Sequence, residues 1–299
     1  MPLPPLENPQ NLARRLSGMA RGLPAVTLLG SMLLALNAVQ TAAALMIPFS
    51  HRRFRALNRA LANLYWGWCT SAAELVHGVS IDISGDPVPA RESAIVVVNH
   101  QQMADIPFLL FLARDKDRLG DMKWIVKDII KYVPGVGWGM YFLDCFFVKR
   151  DWTRDRKKIE ATFSRIKKDN VPLWLVTFVE GTRISPQKIE RSRDFAAEKG
   201  LQPLDHLLIP RTKGFAASVV GLRDHVDAIY DVTIGYSDGV PSLWQYIKGL
   251  APGAHLHVRR FGVEEMPSGE DEIANWLHER FCEKDRLLDH FYTHGRFPS

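Results

Sequence analysis

From Gly22 to Ser50 the chain carries no Asp, Glu, Lys or Arg. A charge-free run of that length belongs either in lipid or deep in a core. Residues 27–47 alone reach ~30 Å as a helix, the thickness of a bilayer's hydrocarbon. A cleaved signal peptide is excluded by the run's length and by Arg52, Arg53, Arg55 and Arg59, which stand where the cleavage site should be. A buried core helix is the alternative, and Asn37 and Gln40 keep it open. The expectation is an N-terminal membrane helix, followed by an interfacial helix over residues 61–76 whose Tyr65, Trp66 and Trp68 sit at headgroup depth. Residues 1–21, with Arg14, Arg15 and Arg21, read as a basic, poorly ordered tail. Three arginines before the apolar run and four after it do not orient it, and a hairpin with both basic flanks on one side is one resolution.

From about Ser80 the pattern changes to short apolar strands alternating with helices. Candidate strands are 81–83, 94–98, 142–148, 173–178, 231–235 and 255–261. Candidate helices are 106–113, 124–132, 154–167, 191–198, 214–222 and 270–289. This rhythm predicts an α/β fold, a central mostly parallel sheet flanked by helices. The chain thus divides into a tail (1–21), a membrane-associated helical segment (22–79) and an α/β domain (80–299). With 46% apolar and 24% charged residues, the bulk should be folded. The net charge of +5 favours phospholipid surfaces or nucleotide-bearing substrates. A nucleic-acid partner is not expected. Cys69, Cys145 and Cys282 form no paired motif, so neither a disulfide framework nor a metal site is expected.

The run Ile95-Val96-Val97-Val98 is a buried strand by its β-branched content. It leads into Asn99-His100-Gln101-Gln102-Met103-Ala104-Asp105 and then an apolar helix with Pro107 in its first turn. The intervening turn can bring His100 and Asp105 together. A carboxylate on one ring nitrogen leaves the other free to take a proton from a hydroxyl. By itself the spacing is weak, because the chain has ten histidines and repeats it at His77 and Asp82. That copy differs in context: Asp82 lies in an alternating strand, with no turn to fold it back on His77.

Other groups fall at strand ends. Phe178-Val179-Glu180-Gly181-Thr182-Arg183 follows an apolar strand, where open α/β sheets hold ligands. There Gly181 permits a tight turn, Arg183 suits a phosphate and Glu180 can accept from a substrate hydroxyl. A capped loop with a surface ion pair is the plainer alternative. Pro210, Arg211 and Lys213 precede another helix in a setting that suits an anion. The charged run 149–158 reads as a solvated helix start, apart from Lys149 and Arg150. Pro134-Gly135-Val136-Gly137 lacks the lysine and the strand–helix setting of a phosphate loop. His255 and His257 read as surface residues rather than metal ligands.

Together these blocks resemble the glycerolipid acyltransferase family, of the 1-acyl-sn-glycerol-3-phosphate acyltransferase type. The matching segments are Asn99-His100 to Asp105, Tyr141-Phe142 through Lys149-Arg150, Glu180-Gly181-Thr182-Arg183 and Leu208-Ile209-Pro210. Val136-Gly137-Trp138, Lys149-Arg150-Asp151-Trp152, Arg211-Thr212-Lys213-Gly214-Phe215 and Trp276-Leu277-His278 are similar to the lysophosphatidic acid/lysocardiolipin branch. Ile184 stands where many members have serine, and the chain ends at Ser299 without the C-terminal membrane helices of many eukaryotic relatives, which suggests a bacterial-type enzyme. The resemblance implies His100 as general base and Asp105 as its partner. It also implies substrate binding by Glu180, Gly181, Thr182 and Arg183, with Lys149, Arg150, Pro210, Arg211 and Lys213 as further candidates. It implies no bound cofactor, acyl-CoA or acyl-acyl-carrier-protein as co-substrate, and a lysophospholipid acceptor. The expected location is a bacterial inner membrane, with the site on the cytoplasmic side. A Gly-x-Ser-x-Gly hydrolase elbow is absent from the sequence.

Overall fold

The computed structural model describes residues 2–149 and 151–298, the side chain of Trp152 excepted. Helix α1 (Leu12–Ala43) takes in most of the charge-free stretch, capped by Asn11 Oδ1, which accepts from Ala13 N at 2.8 Å. With the turn to Met46 it is, among the described residues, the one helix long and apolar enough to cross a membrane, at mean hydropathy 1.7. Its two flanks differ. One presents Leu16, Leu23, Leu28 and Leu34 to the outside. The other touches the body: a Cβ at Gly22 would meet Lys248 Cγ at 3.1 Å, and the buried Asn37 and Gln40 bond each other at 2.9 Å. One flank is thus exposed and apolar, and the other packs on the body of the protein.

The tail is more ordered than expected. Leu6 N donates to Val240 O and Val240 N to Pro4 O, both at 2.9 Å, so residues 4–6 dock as a short extended segment. Helix α2 (His51–His77) is longer than the expected 61–76, because Ser50 caps its start and Gly78, at φ 65°, ends it. Two of its arginines face inward, Arg55 to Asp144 at 2.8 Å and Arg59 to Asp121 at 2.6 Å.

Among the described residues seven strands form one sheet: β1 (Ser80–Gly85), β2 (Ala94–Val98), β3 (Met122–Lys127), β4 (Phe146–Val148), β5 (Trp174–Thr177), β6 (Ala228–Gly235) and β7 (Gly253–Gly262). Their order is β1-β7-β6-β2-β5-β3-β4, and every neighbouring pair is parallel except β6 with β7. Strand β2 is central and at most 1% exposed, with Ala94, Val96 and Val98 packed on one face and Ile95 and Val97 on the other. That two-sided burial is why a continuous β-branched run is needed there. Helix α3 (Asp105–Asp115) covers the first face; α5 (Trp152–Lys168), α7 (Thr212–Leu222) and α9 (Glu270–His294) cover the second. Shorter helices are α4 (Val136–Phe142), α6 (Pro186–Lys199) and α8 (Leu243–Ile247).

Two expectations are corrected. Residues 124–132 form no α-helix: Met122–Lys127 is strand β3 and Asp128–Tyr132 a 3₁₀ turn. Trp124 and Met122 face the core at alternate positions, a period that a run this short does not distinguish from a helix. Residues 142–148 are strand only from Phe146, because Asp144 takes a left-handed φ of 57° and closes α4.

Candidate active site

The strand–turn–helix around β2 and α3 forms as expected. His100 Nδ1 donates to Asp105 Oδ2 at 2.9 Å. The same oxygen accepts from Gln102 N at 2.9 Å, and Oδ1 accepts from the Tyr236 hydroxyl at 2.6 Å. Asp105 is fully buried at the start of α3, where the helix dipole also favours its charge. Asn99 and Gln101 flank the histidine and are stitched to β6. Asn99 exchanges two bonds with the Ile234 backbone, and Gln101 Nε2 donates to Ile234 O at 2.7 Å. Residues 99 and 101 are therefore held, and His100 stacks on Phe178 with ring centroids 4.1 Å apart. Among the described residues none takes Nε2. The imidazole is held by one nitrogen and open at the other.

The loop after β5 closes on this turn. Glu180 is 3% exposed, and its two oxygens accept from His100 N at 3.0 Å and Leu208 N at 3.4 Å. Burial pushes its carboxyl up to about 8. Both oxygens are turned onto backbone, so Glu180 braces the turn that carries His100. Ile184 N donates to His100 O at 3.1 Å, a second tie that needs no particular side chain at 184. Gly181 has a φ of 69°, which favours glycine, and Arg211 packs where a Cβ would stand, its Nε 3.0 Å away. Arg211 N donates to Val179 O at 2.8 Å behind the buried Pro210. Arg183 and Arg211 are thereby brought to the same loop with exposed guanidinium groups, and Arg183 Nη1 touches Gln102 Oε1 at 2.7 Å. Lys213 is exposed on the first turn of α7. Thr182 Oγ1 is occupied by Lys188 Nζ at 2.8 Å.

Lys149 lies at the β4 edge of the sheet, its backbone N donating to Asp155 Oδ1 at 3.0 Å. It follows β4, three places from β2 in the sheet, roughly 14 Å away at ~4.8 Å per strand. Arg150 lies outside the described residues. His77 and Asp82 remain apart; Asp82 instead faces His255 Nδ1 at 3.3 Å, with Ser237 on Nε2 at 3.1 Å. The Asp82 side chain is 77% exposed, so this Ser–His–Asp grouping lacks the buried carboxylate of a working relay. No metal-binding cluster occurs among the described residues.

On the other side of Phe178, Trp124 stacks with its centroid 6.1 Å away. Trp124 also lines an apolar cleft between α1, α2, β3 and α4, together with Leu33, Leu61, Trp66 and Met140. His100 thus stands between an arginine pair and an apolar slot.

Residues 80–237 match the family model described as Acyltransferase, and residues 245–299 match Acyltransferase C-terminus. The chain belongs to the acyltransferase family. It is 36% identical over 227 residues to probable 1-acyl-sn-glycerol-3-phosphate acyltransferase 5 of Arabidopsis thaliana, covering 76% of this chain and 60% of that one. It is 34% identical over 270 residues to 1-acyl-sn-glycerol-3-phosphate acyltransferase delta of Homo sapiens, covering 89% of this chain and 71% of that one. The chain therefore spans between 60% and 71% of the length of these two relatives. The crystal structure of the 1-acyl-sn-glycerophosphate acyltransferase PlsC from Thermotoga maritima has the same fold, at TM-score 0.57 and 16% identity, covering 96% of this chain and all of that one.

Three residues of this site escape a sequence reading, Phe178, Gln102 and Tyr236, and so does the buried Lys284 beneath the sheet edge. Lys284 is fully buried on α9, its Nζ 2.6 Å from both Val232 O and Asp231 Oδ1. Tyr236 carried one available signal, a hydroxyl-bearing aromatic just past the carboxyl end of a buried strand.

Proposed function

We propose that the chain transfers a fatty acyl group from a thioester donor, acyl-CoA or acyl-acyl-carrier-protein, to the sn-2 hydroxyl of lysophosphatidic acid, giving phosphatidic acid. The observation that carries this reading is the open Nε2 of His100, set between two exposed arginines and an apolar cleft. The acceptor hydroxyl bonds to Nε2, and its proton passes there as the oxygen attacks the thioester carbonyl. The tetrahedral intermediate collapses, the carbon–sulfur bond breaks, and the imidazolium returns the proton to the leaving thiolate. Buried Asp105 holds the tautomer and offsets the imidazolium charge, as in a serine hydrolase. The acceptor itself is the nucleophile, since no serine or cysteine among the described residues bonds to His100. A general base of this kind is worth about 10²–10⁴ in rate.

In this reading Arg183 and Arg211 hold the acceptor phosphate, with Lys213 at the rim. Glu180 and Gly181 shape the loop that presents them. The apolar cleft beyond Phe178 and Trp124 suits the acyl chain. The exposed apolar flank of α1 lies in the lipid from which both lipid substrate and product exchange. Acyl thioesters are made in the cytoplasm, so the site faces the cytoplasmic side of a bacterial inner membrane. The described cysteines are all free, which fits that reducing side.

The test is purified protein in mixed micelles with labelled oleoyl-CoA and a panel of lysolipids. Lysophosphatidic acid should be acylated fastest, and His100→Ala should lose at least a hundredfold in rate. Faster acylation of lysophosphatidylglycerol or lysocardiolipin would replace the acceptor assignment. Near-wild-type activity of His100→Ala would sink the mechanism.

A further inference from the structure

Asp105 is the most heavily engaged carboxylate of the site, and one of its three partners comes from a distant part of the chain. We infer that Tyr236, at the carboxyl end of β6, is a positioning residue for the reaction: its hydroxyl fixes and tunes Asp105, and through it the basicity of His100. The inference rests on the acyl-transfer reading above.

The geometry is specific. The Tyr236 hydroxyl lies 2.6 Å from Asp105 Oδ1, the short range of an O–H donor on a charged oxygen. Oδ2 is left to His100 Nδ1 and Gln102 N, both at 2.9 Å. Three donors on two oxygens fix both the rotation and the plane of the carboxylate. Without the tyrosine, the two remaining donors share one oxygen, and the carboxylate can pivot about it.

The tyrosine is itself held rigidly. It is 1% exposed, and its ring leans on Phe108 of α3 with centroids 5.7 Å apart; Phe108 in turn meets Tyr246 of α8 at 5.3 Å. Burial beside Asp105 pushes the phenol well above its ordinary range, so it stays a donor across the working pH. β6 places it there: β2 and β6 are parallel, with Val98 opposite Val232, so both strands end at the same edge of the sheet. A residue just past β6 therefore stands beside the turn that follows β2.

The chemical consequence concerns charge. A phenol on Oδ1 draws electron density from the carboxylate and weakens its hold on the imidazolium. The histidine is then a weaker base, one that gives its proton back to the departing thiolate. Removing the phenol should strengthen the carboxylate's hold on the imidazolium and loosen the orientation of the ring. The other titratable groups facing the dyad are Glu180, on His100 N, and Tyr292 of α9, whose hydroxyl meets Gln101 Oε1 at 3.3 Å; Arg183 faces it through Gln102. A change at Tyr236 leaves the bonds of all three in place.

The test compares wild type, Tyr236→Phe and a protein carrying 3,5-difluorotyrosine at 236, using kcat, both KM values and the pH profile of kcat/KM. Phenylalanine keeps the ring and removes only the hydroxyl. A hydrogen bond to a charged group of this kind suggests a fall in kcat of roughly tenfold. Both KM values should stay within about twofold, and the acid limb should move to higher pH. Difluorotyrosine, a stronger donor, should keep activity and move the limb to lower pH. A Tyr236→Phe profile that overlays wild type in both kcat and acid limb overturns the inference. If that variant fails to fold, an unmoved limb in the difluorotyrosine protein overturns it instead. Failure of wild type itself to acylate any lysolipid would refute the acyl-transfer reading, a separate outcome.

Discussion

Replacing Glu180 by Gln should flatten the pH dependence of stability. The native carboxyl is buried and raised to about 8, against an ordinary value of 4.5. Between those values the unfolded chain has released a proton that the native protein still holds. Stability must therefore fall as pH rises through that window, and level off above about pH 8. At ~1.4 kcal/mol per pH unit, the full window is worth roughly 3–5 kcal/mol. Gln has no proton to release, so this contribution to the slope disappears. The replacement also has a fixed cost. Its carbonyl can accept from His100 N, which leaves its NH₂ facing Leu208 N, and the lost acceptor should cost about 1–2 kcal/mol at every pH. The variant is then less stable than wild type at pH 4.5, and more stable at pH 8.5, where the wild type has lost the whole contribution. Guanidinium unfolding in micelles at several pH values, followed by tryptophan fluorescence, measures both. Parallel curves for the two proteins, offset but with equal slope, would refute the assignment of that proton to Glu180.

Arg183→Ala removes one of the two exposed arginines beside the His100 turn. The KM for the lysolipid should rise about tenfold while the donor KM stays within twofold; a change confined to the donor KM would move Arg183 to the thioester. Lys284→Met strands the buried Asp231 carboxylate and should destabilise the protein by roughly 3–5 kcal/mol, with Lys284→Met/Asp231→Leu recovering most of that in thermal melts. A single variant as stable as wild type would show that the pair is not charged in the folded state.

The parts of this protein legible in its sequence are those set by neighbours along the chain. The apolar run of β2, the turn and the start of α3 lie within about twenty consecutive residues, so His100 and Asp105 meet through local geometry alone. The alternation of strand and helix after Ser80 is likewise a local pattern, and it carries the α/β class with it. The charge-free stretch was legible as unfit for solvent, though its packing was not. Only the body of the domain decides that Asn37 and Gln40 turn inward while the leucines of the opposite flank face out. Short apolar runs such as β3 have too few residues for their period to separate strand from helix.

The support of the site was decided by tertiary structure. Tyr236 reaches Asp105 across 131 positions and Glu180 reaches His100 across 80, and each depends on which strands end at which edge of the sheet. A buried glutamate written beside an arginine looks like a ligand until the backbone amides of other loops are seen to occupy it. Local chemistry chose the base. The long-range order of the strands chose what holds it.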